Sequence, residues 1–256
     1  MPVANFACAG LASGGKLAAF VDVSGTVVLW NRETGETNSL GRPTRNASTR
    51  AVFSRDGKRL AIGGIRQVSV LDVSGQEKPR TFSIQDGESS RPNDLVISVA
   101  FSQNGQKVMA GFYYGLVKLW DLSGPMELAL QAGNDQVHGL ALLSDMHTLV
   151  SVSHEVRFWD LHSRQHRPVL QKQDTLWGCS VSPDGRRLAV GGGDGLITIW
   201  DLGSRQILVA LEGHEAPVLD VAFLGDGDTL VSVGDDQVRV WRAASFAEAN
   251  RKILKR

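Results

Sequence analysis

His214, Ser232 and Asp235 are the residue types from which a hydrolase assembles a nucleophile, its base and the group that orients the base. That chemistry also needs an exposed, activated oxygen and an oxyanion hole, and no GxSxG elbow or equivalent stands in the chain to supply them. The run Gly191-Gly192-Gly193-Asp194-Gly195 has the glycine content of a phosphate loop. It lacks the Lys-Ser/Thr ending and opens onto a strand pattern instead of a helix whose N-terminus could hold an anion, so a turn is expected. His138, His147, His154, His162 and His166 crowd one segment without the i, i+4 spacing or carboxylate companions of a metal site. Cys8 and Cys179 lie far apart with no CxxC or Cys/His cluster, which suggests neither a disulfide framework nor a zinc site. The expectation is therefore no catalytic residue, no cofactor and no metal.

The elements that must position these residues are read from bulk properties and then from repetition. With 256 residues and 42% hydrophobic content the chain can bury a sizeable core. Lys plus Arg and Asp plus Glu both number 27, so a formal net charge of zero gives no general pull toward nucleic acid or an anionic membrane. No apolar run approaches the roughly 18 residues of a membrane span, and the start MPVANFACAG lacks the charged and apolar regions of a secretory signal. A cytoplasmic location and no nucleic-acid or membrane partner are the expectations.

One short phrase returns down the chain: TVVLWN at 26–31, QVSVLDV at 67–73, LVKLWDL at 116–122, EVRFWDL at 155–161, LITIWDL at 196–202 and QVRVWRA at 237–243. From Trp30 through Leu71, Trp120, Trp159, Trp200 and Trp241 the intervals are 41, 49, 39, 41 and 41 residues. A second phrase precedes each one, as in DGKRLAIGG, DGRRLAVGGG and DGDTLVSVG, and a third stands earlier still in AVFS, VAFS, CSVS and VAFL. These phrases alternate apolar and polar residues and are punctuated by Asp-Gly, Asn-Gly and Gly-Gly pairs, which predicts short antiparallel strands. A weaker fourth strand follows most units, for example PRTFSI at 79–84 and ILVALEG at 207–213. Four strands in about 41 residues make one propeller blade.

These phrases resemble the WD-repeat family along nearly the whole chain. Members show Gly-His before the first strand, a small hydroxyl residue in the second, Asp in the next turn and Trp-Asp closing the third. The last unit carries that set with Gly213-His214, Ser232, Asp235 or Asp236, and Trp241, although Arg242 replaces the final Asp. Trp120-Asp121, Trp159-Asp160 and Trp200-Asp201 keep the dipeptide, while unit one reads Trp30-Asn31 and unit two Leu71-Asp72. The style is similar to bacterial propellers appended to signalling proteins. The resemblance implies an all-β propeller of six four-stranded blades, at 1–46, 47–93, 94–134, 135–173, 174–213 and 214–243. Seven blades would follow if a further segment exists. It also implies that His214, Ser232, Asp235 and Trp241 form a buried hydrogen-bonded tetrad that ties strands together, and that the repeated tryptophans pack between blades. The last blade has no evident fourth strand; residues 244–256 follow instead, where Ser245 to Glu248 reads as a capping box before a short basic helix or tail.

Propellers of this kind generally bind partners on the face where the first strands enter. Trp177 aligns there with Ile97, His138 and Leu219, and blade three places Phe112-Tyr113-Tyr114 where turn polar residues belong. Trp177, His138, Ile97, Tyr113 and Tyr114 are accordingly the candidate contact residues for a protein or peptide, since aromatics are over-represented in interface hot spots. The competing expectation is that Trp177 and Tyr114 only fill space over degenerate units. The polar connection QDGESSRPND at 85–94 reads as a mobile loop or a contact element. The functional expectation is a non-catalytic recognition scaffold; the alternatives are a hydrolase or lyase site at a channel mouth and a purely structural spacer.

Overall fold

The computed structural model describes residues 6–12, 14–43, 50–84, 94–125, 127–171 and 175–243. The described chain is all-β: six propeller-type blades in chain order, with no helix among the described residues. It divides into two compact units, Met1–Leu176 and Trp177–Arg256.

The first unit holds four antiparallel sheets of four strands. Blade one comprises β1 (Phe6–Leu11), β2 (Leu17–Asp22), β3 (Val27–Asn31) and β4 (Thr37–Gly41). Blade two follows with β5 (Arg50–Phe53), β6 (Arg59–Gly63), β7 (Gln67–Asp72) and β8 (Arg80–Ser83). Blade three is β9 (Val96–Phe101), β10 (Lys107–Phe112), β11 (Leu116–Asp121) and β12 (Glu127–Gln131), and blade four is β13 (Gly139–Leu142), β14 (Thr148–Val152), β15 (Glu155–Asp160) and β16 (His166–Gln171).

Side chains alternate across each strand, so each blade has a rear face carrying the repeat tryptophan, or Leu71 in blade two, and a forward face formed by the residues between. In the first unit the forward face of one blade meets the rear face of the next. Val117, Leu119, Leu128 and Leu130 of blade three lie against Leu140, Leu149 and Trp159 of blade four, all nearly inaccessible to solvent. The approach is close: a Cβ on Gly111 would come within 2.6 Å of the Val137 side chain, which only glycine avoids. Where unit two of the repeat has Leu71 in place of tryptophan, that leucine is still buried against blade one.

The second unit is built from blade five, β17 (Leu176–Val181), β18 (Arg187–Gly192), β19 (Ile197–Asp201) and β20 (Gln206–Leu211), and blade six, β21 (Val218–Phe223), β22 (Thr229–Gly234) and β23 (Val238–Arg242). Leu176, the first residue of β17, is grouped with the first unit. Blade six is three-stranded among the described residues, where six four-stranded blades were expected. The expected helix or tail at 244–256 lies outside the described residues, as does the connection at 85–93. Ala189, Ile197 and Ile199 on the forward face of blade five pack on Val218, Val221 and Leu230 on the rear face of blade six. Among the described residues no helix is long and apolar enough to cross a membrane.

Candidate functional site

The Ser/His/Asp set is held inside blade six. His214 precedes β21, Ser232 sits on β22 and Trp241 on β23, so one side-chain relay crosses the whole sheet. Trp241 Nε1–H donates to Ser232 Oγ at 2.8 Å, and Ser232 Oγ lies 2.7 Å from His214 Nε2. Indole nitrogen can only donate, which leaves the serine hydroxyl hydrogen for Nε2 and puts the imidazole proton on Nδ1. From there it reaches Asp236 Oδ1 at 2.7 Å. That hydrogen bond holds the Asp236 carboxyl well below the ordinary carboxylate range.

The acid is therefore Asp236 and not Asp235. Leu188 pairs with Trp200 in blade five, whereas Leu230 pairs with Trp241 in blade six, so the β22–β23 hairpin is one residue shorter than its neighbour. Counting back from the tryptophan matches Asp235 to Asp194; counting forward from the second strand matches Asp236. Ser232 is fully buried and its oxygen is engaged on both sides, so it offers no accessible nucleophile. Other blades keep fragments of the relay: Trp159 Nε1–H donates to Ser151 Oγ at 2.8 Å, and Trp200 Nε1–H to Thr198 Oγ1 at 3.0 Å.

The accessible aromatic residues lie where first strands enter. Tyr113 and Tyr114 form the turn between β10 and β11, are 41% and 37% exposed, and meet edge to face with ring centroids 4.9 Å apart. One backbone and one side-chain hydrogen bond fix the turn: Tyr113 N–H donates to the Leu95 carbonyl at 2.9 Å, and Gln131 Nε2–H to the Tyr114 carbonyl at 2.9 Å. Gly115 closes it at φ +80°, with a Cβ there only 2.2 Å from the Gly133 carbonyl oxygen. Two tyrosines are thereby presented at solvent on a rigid turn.

Ile97, two residues beyond Leu95, is half-buried on β9, and His138 is almost buried just before β13. A residue the sequence did not single out connects this neighbourhood. Arg50 at the start of β5 donates through Nε to the Ile97 carbonyl at 3.3 Å. Its charge also acts on His138, whose pKa falls to about 4, first through burial, then through Arg50 and His154. The imidazole is neutral at pH 7. Nothing in the repeat pattern marks Arg50, because its side chain matters through a neighbouring blade. Trp177 belongs to the second unit, half-buried on β17. Among the described residues no group of three or more His, Cys, Asp or Glu side chains is placed to hold a metal ion.

Three segments match the family described as WD domain, G-beta repeat: residues 85–121, 165–201 and 205–242. The chain is similar to a serine-threonine kinase receptor-associated protein of Dictyostelium discoideum, 25% identical over 85% of this chain and 73% of that protein. It is also similar to the WD repeat-containing protein slp1 of Schizosaccharomyces pombe, 31% identical over 60% of this chain and 33% of the relative. A U5 small nuclear ribonucleoprotein 40 kDa protein of Homo sapiens is 38% identical over 25% of this chain and 18% of its own length. The chain thus spans most of the first relative and a third or less of the other two. Together they support a WD-repeat propeller family for the chain. These relatives are eukaryotic, and the expected bacterial style finds no support in them.

Proposed function

We propose that this chain of WD-repeat blades is a non-catalytic scaffold that presents its strand-entry surface to a protein or peptide partner. The observation that carries the reading is the Tyr113–Tyr114 pair, two solvent-facing rings on a turn that Leu95, Gln131 and Gly115 hold rigid. Rigid aromatic rings bury much area at little entropic cost, which is the property of an interface anchor. Ile97 and His138 extend the surface in the same unit as apolar and neutral neighbours. The buried Ser232 relay supports a structural role for the residues that most resemble catalytic ones.

The relatives are consistent with work inside assemblies, since their names describe a receptor-associated protein and a ribonucleoprotein component. A protein contact is favoured over RNA for this chain because its formal charge balances to zero. The same balance and the two isolated cysteines favour a soluble, reducing compartment such as the cytoplasm. Site-specific photocrosslinking tests the reading: a benzophenone residue at position 113 captures a protein, and one at Lys58 on the opposite turn set does not. Capture from Lys58 alone, or RNA-dependent capture from 113 lost on nuclease treatment, would overturn it.

A further inference from the structure

The seam between blades two and three opens into a cavity of about 200 Å³, at the turn set opposite Tyr113 and Tyr114. The repeat is altered there in two ways. Seven residues, 73–79, join β7 to β8, where five or fewer join the third and fourth strands of blades one, three, four and five. Arg80 then stands opposite Val70, at the place where blade three puts the buried Leu128 opposite Leu119. A charged side chain thus occupies a seam that the next blade fills with leucine. Its guanidinium donates to the Leu122 carbonyl of blade three and lies 5.2 Å from the centre of the Phe82 ring. Arg59 spans the same gap and donates to the Gly105 carbonyl at 2.7 Å.

Lys58 and Lys78 join the two arginines around an apolar floor of Val70 and Leu122. Each guanidinium gives one N–H to a backbone carbonyl, and neither forms an ion pair within 4.0 Å among the described residues. Two of the three acids beside them are engaged by their own turns. Asp56 accepts from Ser54 Oγ at 2.6 Å and from the Lys58 N–H at 3.1 Å; Asp72 accepts from Ser74 Oγ and from the Gln76 and Glu77 N–H groups. What remains, with Glu77 as the third acid, is an excess of cationic donors converging from separate segments on a concave site. We infer that this cavity holds the phosphate group of a small phosphomonoester, with the ester's carbon part over Val70 and Leu122. A phosphate carries three terminal oxygens and meets donors from several sides, whereas a carboxylate offers two in one plane; the arginine fork matches it in pairs. The volume lies below the roughly 300 Å³ at which drug-sized sites begin, which limits the ligand to the scale of a glycerol or pentose phosphate. This inference is independent of the Tyr113–Tyr114 surface.

Calorimetric titration of the whole chain with glycerol 3-phosphate and with ribose 5-phosphate tests it, with glycerol and ribose as probes that lack the phosphate. At least one ester is expected to bind with a Kd under about 1 mM, more weakly as salt is added, and neither parent compound to bind. Arg80→Leu restores the residue type of blade three, so it should keep the circular dichroism of the wild type and weaken that binding roughly tenfold or more. Lys78→Gln, at solvent, should weaken it severalfold. Lys16→Gln, whose lysine pairs with Glu33 in blade one, should leave it unchanged. No saturable binding of either ester to the wild-type chain overturns the inference. So does binding that is unchanged in a folded Arg80→Leu or, should that variant misfold, in Lys78→Gln. A phosphoserine peptide that binds where neither ester does overturns it as well, in favour of a protein ligand.

Discussion

Ile199 in blade five and Val240 in blade six stand 41 residues apart at the same place in the repeat, on strands with the same alternation. Ile199 is buried and Val240 is 58% exposed. The register of each strand against its neighbour is equally regular, Ala189 opposite Ile199 and Val231 opposite Val240. Local sequence therefore decides which face a side chain joins, and a second sheet decides whether that face is dry. The two blades separate these contributions within one unit: the forward face of blade five is covered by the rear face of blade six, while the forward face of blade six stands at solvent and its rear face also carries the cross-strand relay.

The largest effect should come from removing the buried tryptophan on the other face of blade five. Trp200→Ala is expected to cost about 3–5 kcal/mol, because the ring is buried and its Nε1–H is held by Thr198. Denaturant unfolding followed by circular dichroism reads the loss, and a cost near that of a surface change would mean that the ring is not held by its surroundings.

Next comes the relay inside blade six. Ser232→Ala strands His214 Nε2 and Trp241 Nε1 together, at a cost of roughly 2–4 kcal/mol. Asp235→Asn should leave stability unchanged while Asp236→Asn lowers it; equal effects would undo the assignment of the acid. Because Asp236 is held below its ordinary carboxylate range, its contribution is present above pH 4 or so and is lost as the pH falls below that.

A third effect concerns the first unit. His138 titrates near 4 when folded against about 6.5 in the unfolded chain, so the unfolded state binds more protons between those values. Stability is fully present above pH 6.5 and falls as the pH drops toward 4, by up to roughly 3 kcal/mol. His138→Gln should flatten that slope in melts recorded across the interval, and an unchanged slope would place the titration elsewhere.

The smallest effect is expected at Val240. Val240→Thr should shift stability by less than about 0.5 kcal/mol, as surface substitutions do. Ile199→Ala at the matching place should cost about 2–5 kcal/mol. Similar values for the two would mean that blade six is covered after all.

Much of this organisation was legible in residue order. The tryptophan spacing marks the third strands, the alternation marks both faces, and Gly213-His214 with Ser232 and Trp241 marks the relay, because each depends on local periodicity. Asp236 was not legible from spacing, since one residue fewer in the β22–β23 hairpin shifts the count only on one side. Arg50 was hidden because it acts on Ile97 and His138 from another blade. The exposure of Val238 and Val240 was hidden for a related reason: an apolar strand reads the same whether or not a sheet lies over it.

The rigid tyrosine turn of blade three is where we propose that this scaffold holds its partner. Titration calorimetry with the protein captured from position 113, against the wild-type chain and the Tyr113→Ala/Tyr114→Ala double variant, measures that directly. A Kd at least tenfold weaker is expected for the variant, about 1.4 kcal/mol or more, with the same far-ultraviolet spectrum. An unchanged Kd in a folded variant would contradict it.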